Sequence, residues 1–313
     1  LVINQKEPME TFYVAAPKGK IKIKNGKNDE QITVSSKYIS VSFDKKTGFI
    51  SSYTTEGRNL FSNGGTMRPC FWRAVTDNDM GANLQTKFKA WRNPEMTLTS
   101  ISARANSKST VLVEAIYDMP TVKSQLVMKY LVYETGEIGV EESLKTTPNA
   151  SISPMLRFGV ALQLPENMDR STFYGRGPIE NYVDRKQSQH LGIYTLSADQ
   201  QYYPYIRPQE TGTKTDMRWW QQTDAQGFGL RVEAIGKWFN ASALHYSIAS
   251  LDEGDEKHQR HSPQVKKDAT TWLYLDNAHY GIGGTDSWGA LPLQPYQLRY
   301  EDMTFKFSLM PIK

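Results

Sequence analysis

Cysteine is nearly missing from this chain: Cys70 is the single one among 313 residues. No disulfide can form within it, so the fold must rest on a packed core, and the length is ample for one. The cytoplasm and the periplasm both remain open as compartments. Long apolar runs are missing too. Mean hydropathy is negative, and nothing approaches the roughly 20 apolar residues of a membrane-spanning helix. Charge of one sign is not gathered anywhere: 37 Lys and Arg are interspersed with 33 Asp and Glu, for a net charge of +4. A nucleic-acid footprint needs a clustered basic face, so that class of partner is not expected. An initiating Met is also lacking, since Leu1 stands first and no signal-like segment follows it. A piece of a longer protein is the expectation.

What is present is aromatic and strand-forming. Aromatics make up 12% of the chain, with 17 Tyr and 7 Trp, a composition suited to strands and to sugar or protein contact surfaces. Residues 1–35 show weak periodicity, with Pro8, Pro17, Gly19, Gly26 and a run of lysines (Lys18, Lys20, Lys22, Lys24, Lys27). They read as a linker or the tail of a preceding module, although the alternation of Ile21 and Ile23 with lysine also suits an exposed edge strand. From Tyr38 onward the period is two. Ile39, Val41 and Phe43 lead into the turn Asp44-Lys45-Lys46-Thr47-Gly48, a hairpin signature. Strands are predicted around Val111–Tyr117, Leu126–Val132, Leu156–Leu164, Phe228–Ala234, Thr271–Leu275 and Phe305–Leu309. A short helix is predicted over Asn83–Trp91, with Leu84, Phe88 and Trp91 on one face, and another over Asp252–His261. Many strands and few helices predict an all-β protein, a large antiparallel sandwich.

Four loops carry residues too specialised for simple turns. The first, Phe71–Gly81, contains Thr76-Asp77-Asn78-Asp79. Its acids do not fall at the positions a twelve-residue calcium loop requires, and a turn braced by side-chain hydrogen bonds is favoured. The second, Tyr174–Arg185, holds Arg176, Glu180, Asp184 and Arg185. Its Gly-x-Gly lacks the third glycine and following helix of a dinucleotide site, so an ionic network in a rigid loop is favoured over sugar contacts. The third, Tyr205–Trp220, carries Pro208-Gln209-Glu210-Thr211-Gly212 amid charged and aromatic residues. The fourth is His279–Gly289, with four glycines in the nine residues from Gly281. Such a backbone folds tightly enough to present one large side chain, here Trp288, beside Asp286 and Ser287. Two roles are open to it: stacking on the apolar face of a sugar ring, or plugging one end of the core, which composition alone favours. His258-x-x-His261 has metal-like spacing but no completing ligands, and a solvent-facing role is favoured; His190, His245 and His279 stand isolated.

In their order, these four loops resemble the small-chain segment at the C-terminus of family 2 β-galactosidases, over about residues 36–311. The resemblance implies a β-supersandwich similar to galactose mutarotase, spanning 36–313, with residues 1–35 as the tail of an immunoglobulin-like module. It implies that Trp288, with Asp286 and Ser287, lines the galactose pocket of a neighbouring barrel domain, and that Asp77, Asn78, Asp79, Arg176, Glu180, Asp184, Arg185 and Glu210 are loop scaffold. Thr285 stands where many relatives carry an acid, so no contact is assigned there. The catalytic glutamates, with magnesium and often sodium nearby, then belong to the barrel. This chain is expected to hold no catalytic residue, metal or cofactor of its own and to be inactive alone. The parent is expected to be a homo-oligomer acting on β-galactosides, without a membrane or nucleic-acid partner. Two rivals stand beside this reading, a free-standing aldose mutarotase or epimerase and a non-catalytic carbohydrate-binding module.

Overall fold

The computed structural model describes residues 19–25, 30–284, 286 and 288–313. Among these, alternation of buried and less buried side chains marks nearly every long strand. Ser124–Tyr133 buries each second residue, as does Thr110–Met119 over most of its length. Two antiparallel sheets result, each burying one face against the other. The first has ten strands. It runs from the Lys22–Asn25 edge through Gln31–Ser35, Ile39–Asp44, Ile50–Thr55, Met67–Cys70, Arg157–Pro165, Thr270–His279 and Phe239–Leu244 to Lys214–Met217, with Arg58–Asn59 beside Ile50–Thr55. The second has nine: His190–Ser197, Arg170–Gly177, Trp219–Thr223, Gly229–Ala234, Met303–Ile312, Ile138–Thr146, Ser124–Tyr133, Thr110–Met119 and Thr97–Ala105. The protein is an all-β supersandwich. No helix among the described residues is long and apolar enough to cross a membrane.

The space between the sheets is filled by Val41, Phe43, Met128, Tyr130, Val160, Leu162, Leu273, Leu275, Phe305 and Phe307, all essentially without solvent contact. Phe43 and Tyr130 meet across it with ring centroids 5.0 Å apart, a tilted geometry that suits aromatic quadrupoles. The hairpin turn after Phe43 forms as its sequence requires. Asp44 Oδ1 accepts from the N–H groups of Lys46 and Thr47, both at 2.8 Å, and Gly48 takes φ +74°.

Three expectations need correction. The sandwich extends upstream of the boundary drawn at residue 35. Gln31–Ser35 pairs along its length with Ile39–Asp44 and sends Ile32 and Val34 into the core, and Lys22–Asn25 forms the edge beyond it. Hydrophobic alternation there is diluted by the lysines that protect an exposed edge. Residues 1–18 and 26–29 of the upstream tail lie outside the described residues. The helix over Asn83–Trp91 is broken into Leu84–Lys87 and a 3₁₀ turn at Lys89–Trp91, with Asn83 at φ +59°; Leu84, Phe88 and Trp91 are buried as the pattern predicts. Asp252–His261 is not helical. Asp252 is drawn off by Trp72, whose Nε1 donates to its Oδ2 at 2.8 Å, while its Oδ1 accepts from Gly254 N–H at φ +108°. Such local side-chain bonds compete with a helix.

The outer face of the ten-stranded sheet carries the polar residues that the loops cover. Arg157 sits opposite His279, Gly159 opposite Asp276, Ala161 opposite Tyr274 and Gln163 opposite Trp272, and these point away from the core that takes Phe158, Val160 and Leu162. Gly159 lies beside a bulge, where a Cβ would collide with the Leu275 carbonyl and stand 2.7 Å from Asp276 Cα. Gly159→Ala is expected to lower the unfolding free energy by about 1–3 kcal/mol, seen as a reduced urea midpoint at unchanged slope.

Candidate functional site

At the Arg157–His279 end of this outer face the four unusual loops fold over the sheet and bond to one another. Thr76 caps a helical turn at Asp77–Gly81: its Oγ accepts from Asp79 N–H at 3.1 Å, and Asp79 Oδ2 accepts from Thr76 N–H at 2.9 Å. This reciprocal cap also aims the Asp79 carboxylate at Arg73. The Arg73 guanidinium is fully buried and meets that carboxylate as a fork, Nε to Oδ2 at 3.1 Å and Nη2 to Oδ1 at 2.9 Å. Its remaining hydrogens go to the glycine-rich loop, Nη1 to the Tyr280 carbonyl and Nη2 to the Gly281 carbonyl at 3.0 Å.

The other loops hold the same segment. Asn78 Nδ2 donates to the Ile282 carbonyl at 2.9 Å. Asp184 Oδ2 accepts from Gly283 N–H at 2.7 Å, and a Cβ at Gly281 would lie 2.7 Å from that same oxygen. Glycine is needed there because the carboxylate occupies the space a side chain would take. Asp286 Oδ1 accepts from Trp288 N–H at 2.8 Å, bending the tip back, and Gly289 turns the chain at φ +118° beside the Gly81 carbonyl. The outcome is a Trp288 indole that is 91% exposed on a loop held at four consecutive residues. A core plug is excluded.

Beneath the loops lies a buried ionic cluster. Arg157 Nη2 donates to Glu210 Oε2 at 3.1 Å, and Arg157 Nε lies 3.2 Å from Asp276 Oδ1. Burial opposes the Arg157 charge, but the two carboxylates outweigh it and hold the pKa above the ordinary guanidinium value. Burial pushes Asp276 up to about 7 despite the pull of Arg157, because that one cation is shared with Glu210. His279, only 3% exposed, has Nδ1 3.0 Å from Arg73 Nη1 and Nε2 3.3 Å from Arg157 Nη2. Burial and the two guanidiniums hold its pKa far below the imidazole norm, so it is neutral. Sequence reading left His279 isolated and passed over Arg157 and Asp276. The available signal was that all three are polar residues on two paired strands, one of which runs directly into the glycine-rich loop.

The remaining scaffold residues take the roles that an ionic network requires. Glu180 Oε2 accepts from Gly212 N–H at 2.7 Å and from Thr211 Oγ at 3.0 Å, and its Oε1 takes Arg185 Nη2 at 2.7 Å and the Tyr205 hydroxyl. Arg176 Nε donates to Asp216 Oδ2 at 2.6 Å. Asp77 N–H donates to Gln209 Oε1, and Gln209 Nε2 donates back to Asp77 Oδ2, both at 3.0 Å. Lys214 is buried beside this network, donating to Gln201 Oε1 at 3.1 Å and to the Gly212 carbonyl at 2.7 Å. Burial lowers its pKa to about 7. His258 and His261 are both exposed. Ser287 lies outside the described residues. Among those that are described, no group of three or more His, Cys, Asp or Glu is placed to hold a metal ion.

The family described as "Beta galactosidase small chain" matches residues 35–309. This chain belongs to it. A beta-galactosidase of Priestia megaterium is 31% identical over 288 residues, 91% of this chain and 27% of that protein. One from Lactobacillus delbrueckii subsp. bulgaricus is 37% identical over 222 residues, 70% of this chain and 21% of that protein. The small-chain segment therefore spans about a quarter of the length of the curated relatives it matches. Among solved structures it is similar to a putative aldose 1-epimerase from Escherichia coli K12, with a TM-score of 0.46 and 11% identity, covering 94% of this chain and 99% of that one.

Two outcomes test the site's construction. Asp184→Ala removes the acceptor of Gly283 N–H and is expected to speed hydrogen exchange in residues 281–289 about tenfold or more, without matching acceleration in the sheets. For Lys214 the folded pKa lies below the unfolded value, so between about pH 7.5 and 9.5 the unfolded chain binds the extra proton. Stability then rises with pH across that window, by up to about 1.4 kcal/mol per unit. In Lys214→Met the rise is expected to flatten, as measured by urea unfolding at stepped pH.

Proposed function

We propose that this small-chain segment serves a β-galactosidase by lending Trp288 to the galactose site of a barrel domain elsewhere in the parent. The observation that carries the reading is the exposed indole on a loop braced by residues of two other motif loops. An indole face stacks on the apolar C–H face of a galactose ring, while Asp286 bends the loop tip and Ser287 is assigned to the same tip. Hydrolysis with retention needs two carboxylates about 5–5.5 Å apart and open to substrate. Glu210 and Asp276 are sealed beneath the loops and paired with Arg157, which supports placing the chemistry, together with magnesium and sodium, in the barrel. The same reading takes immunoglobulin-like and barrel domains as the segment's partners in a homo-oligomeric parent.

The epimerase alternative needs an accessible histidine acting with a carboxylate. His279 is buried and neutral, and His245 is buried too, so nothing in the loop cluster favours it.

In the intact parent enzyme, Trp288→Ala is expected to raise KM for a nitrophenyl β-galactoside about fivefold to tenfold while kcat changes little. An unaltered KM would remove the proposed role. The chain by itself is expected to release no nitrophenol and to leave the mutarotation of fresh α-galactose at its spontaneous rate. Accelerated rotation would favour the epimerase.

A further inference from the structure

A hollow of about 620 Å³ opens on the outer face of the ten-stranded sheet, lined by none of the described residues between 281 and 293. Its floor is set by strand register. Ala161 lies opposite both Arg68 and Tyr274, and Trp272 follows two residues before Tyr274 on the same face. The small side chain of Ala161 leaves room between larger neighbours. The Trp272 and Tyr274 rings are 10° from parallel with centroids 6.3 Å apart. Their polar edges are already engaged: Trp272 Nε1 donates to Asp268 Oδ2 at 2.9 Å, and the Tyr274 hydroxyl accepts from Ile248 N–H at 3.0 Å. Tyr274 is itself buried, and the half-buried Trp272 ring is the flat apolar surface left toward the hollow.

The rim is the opposite. Arg68 is exposed, stands 5.8 Å from the Trp272 ring centroid and has no carboxylate partner among the described residues. Arg92 lies 4.9 Å from the Trp72 ring and bonds Asp255 through Nη1, while its Nη2 has no hydrogen-bond partner. Asp252 and Glu253 complete the charged lining, but Asp252 is already engaged by Trp72 Nε1 and Gly254 N–H, and Glu253 is paired with Arg260. An apolar floor beside the unpaired guanidinium fork of Arg68 suits a ring with C–H faces and a hydroxyl edge. The volume is in the range of small-molecule sites.

We propose that this hollow is a second, non-catalytic sugar-binding site, taking a neutral pyranose on the Trp272 ring with its hydroxyls bonded by Arg68. It does not depend on the reading of Trp288. The test is fluorine NMR of the full chain carrying 5-fluorotryptophan, with the Trp272 and Trp288 signals assigned from Trp272→Phe and Trp288→Ala and lactose as the probe. The Trp272 signal is expected to shift and saturate with a Kd on the order of 1–10 mM. That shift persists in Trp288→Ala, and Arg68→Ala, a surface change that spares the core, weakens it about fivefold or more. An unmoved Trp272 signal up to about 100 mM lactose, or a shift indifferent to Arg68→Ala, would overturn the proposal. Movement of the Trp288 signal alone would likewise refute this site while leaving the Trp288 reading standing.

Discussion

Carbonyl oxygens at the end of a strand need donors, and where the Thr270–His279 strand runs out the guanidinium of Arg73 supplies them. It bonds the Tyr280 and Gly281 carbonyls on one side and the Asp79 carboxylate on the other. Buried backbone acceptors are rarely left unpaired, and a buried cation requires a partner of opposite sign. Both demands are met by one side chain. The glycine-rich loop is thereby tied to a capped helical turn about 200 residues away in sequence, and the position of Trp288 depends on that tie.

The cluster under the loops follows the same logic at larger scale. Two arginines, three carboxylates and a neutral histidine are shut away from water, a costly arrangement for stability alone, since well-packed apolar groups often serve as well. Its effect here is geometric. Guanidinium forks accept only a few relative orientations of their partners, so loops from distant parts of the chain are held in one register. A buried histidine between two cations cannot take up a proton readily.

Polar material is thus buried at one end of the outer sheet face, while the Trp272 ring is half-buried along it and Trp288 is exposed at the loop tip. Trp288 projects from flexible backbone made rigid by its neighbours, whereas Trp272 and Tyr274 lie on strands that are rigid by construction. The two settings differ in what completes them: the rim of the hollow carries its own hydrogen-bonding groups, but the tip of the loop has few.

Much of this was readable from residue order. Period-two alternation located the central strands, the Asp44–Gly48 turn announced its hairpin, and four loop motifs in sequence identified the family. The Lys22–Asn25 edge strand was one of two readings open for a lysine-rich stretch that also looks like a linker, and the five-residue Gln31–Ser35 strand was passed over beside it. Asp252–His261 looked helical because its fate was decided by Trp72, some 180 residues earlier. Arg157 and Asp276 were individually unremarkable, since a polar residue in a strand reads as solvent-facing until a loop is known to cover it. Sequence by itself determined the sheet-forming pattern, the family and the presence of one glycine-framed indole. Only the tertiary structure decided that the indole faces water and that Arg73, Arg157, Asp276 and His279 share one buried site, because burial and charge pairing are set by contacts between segments that the order of residues does not place side by side.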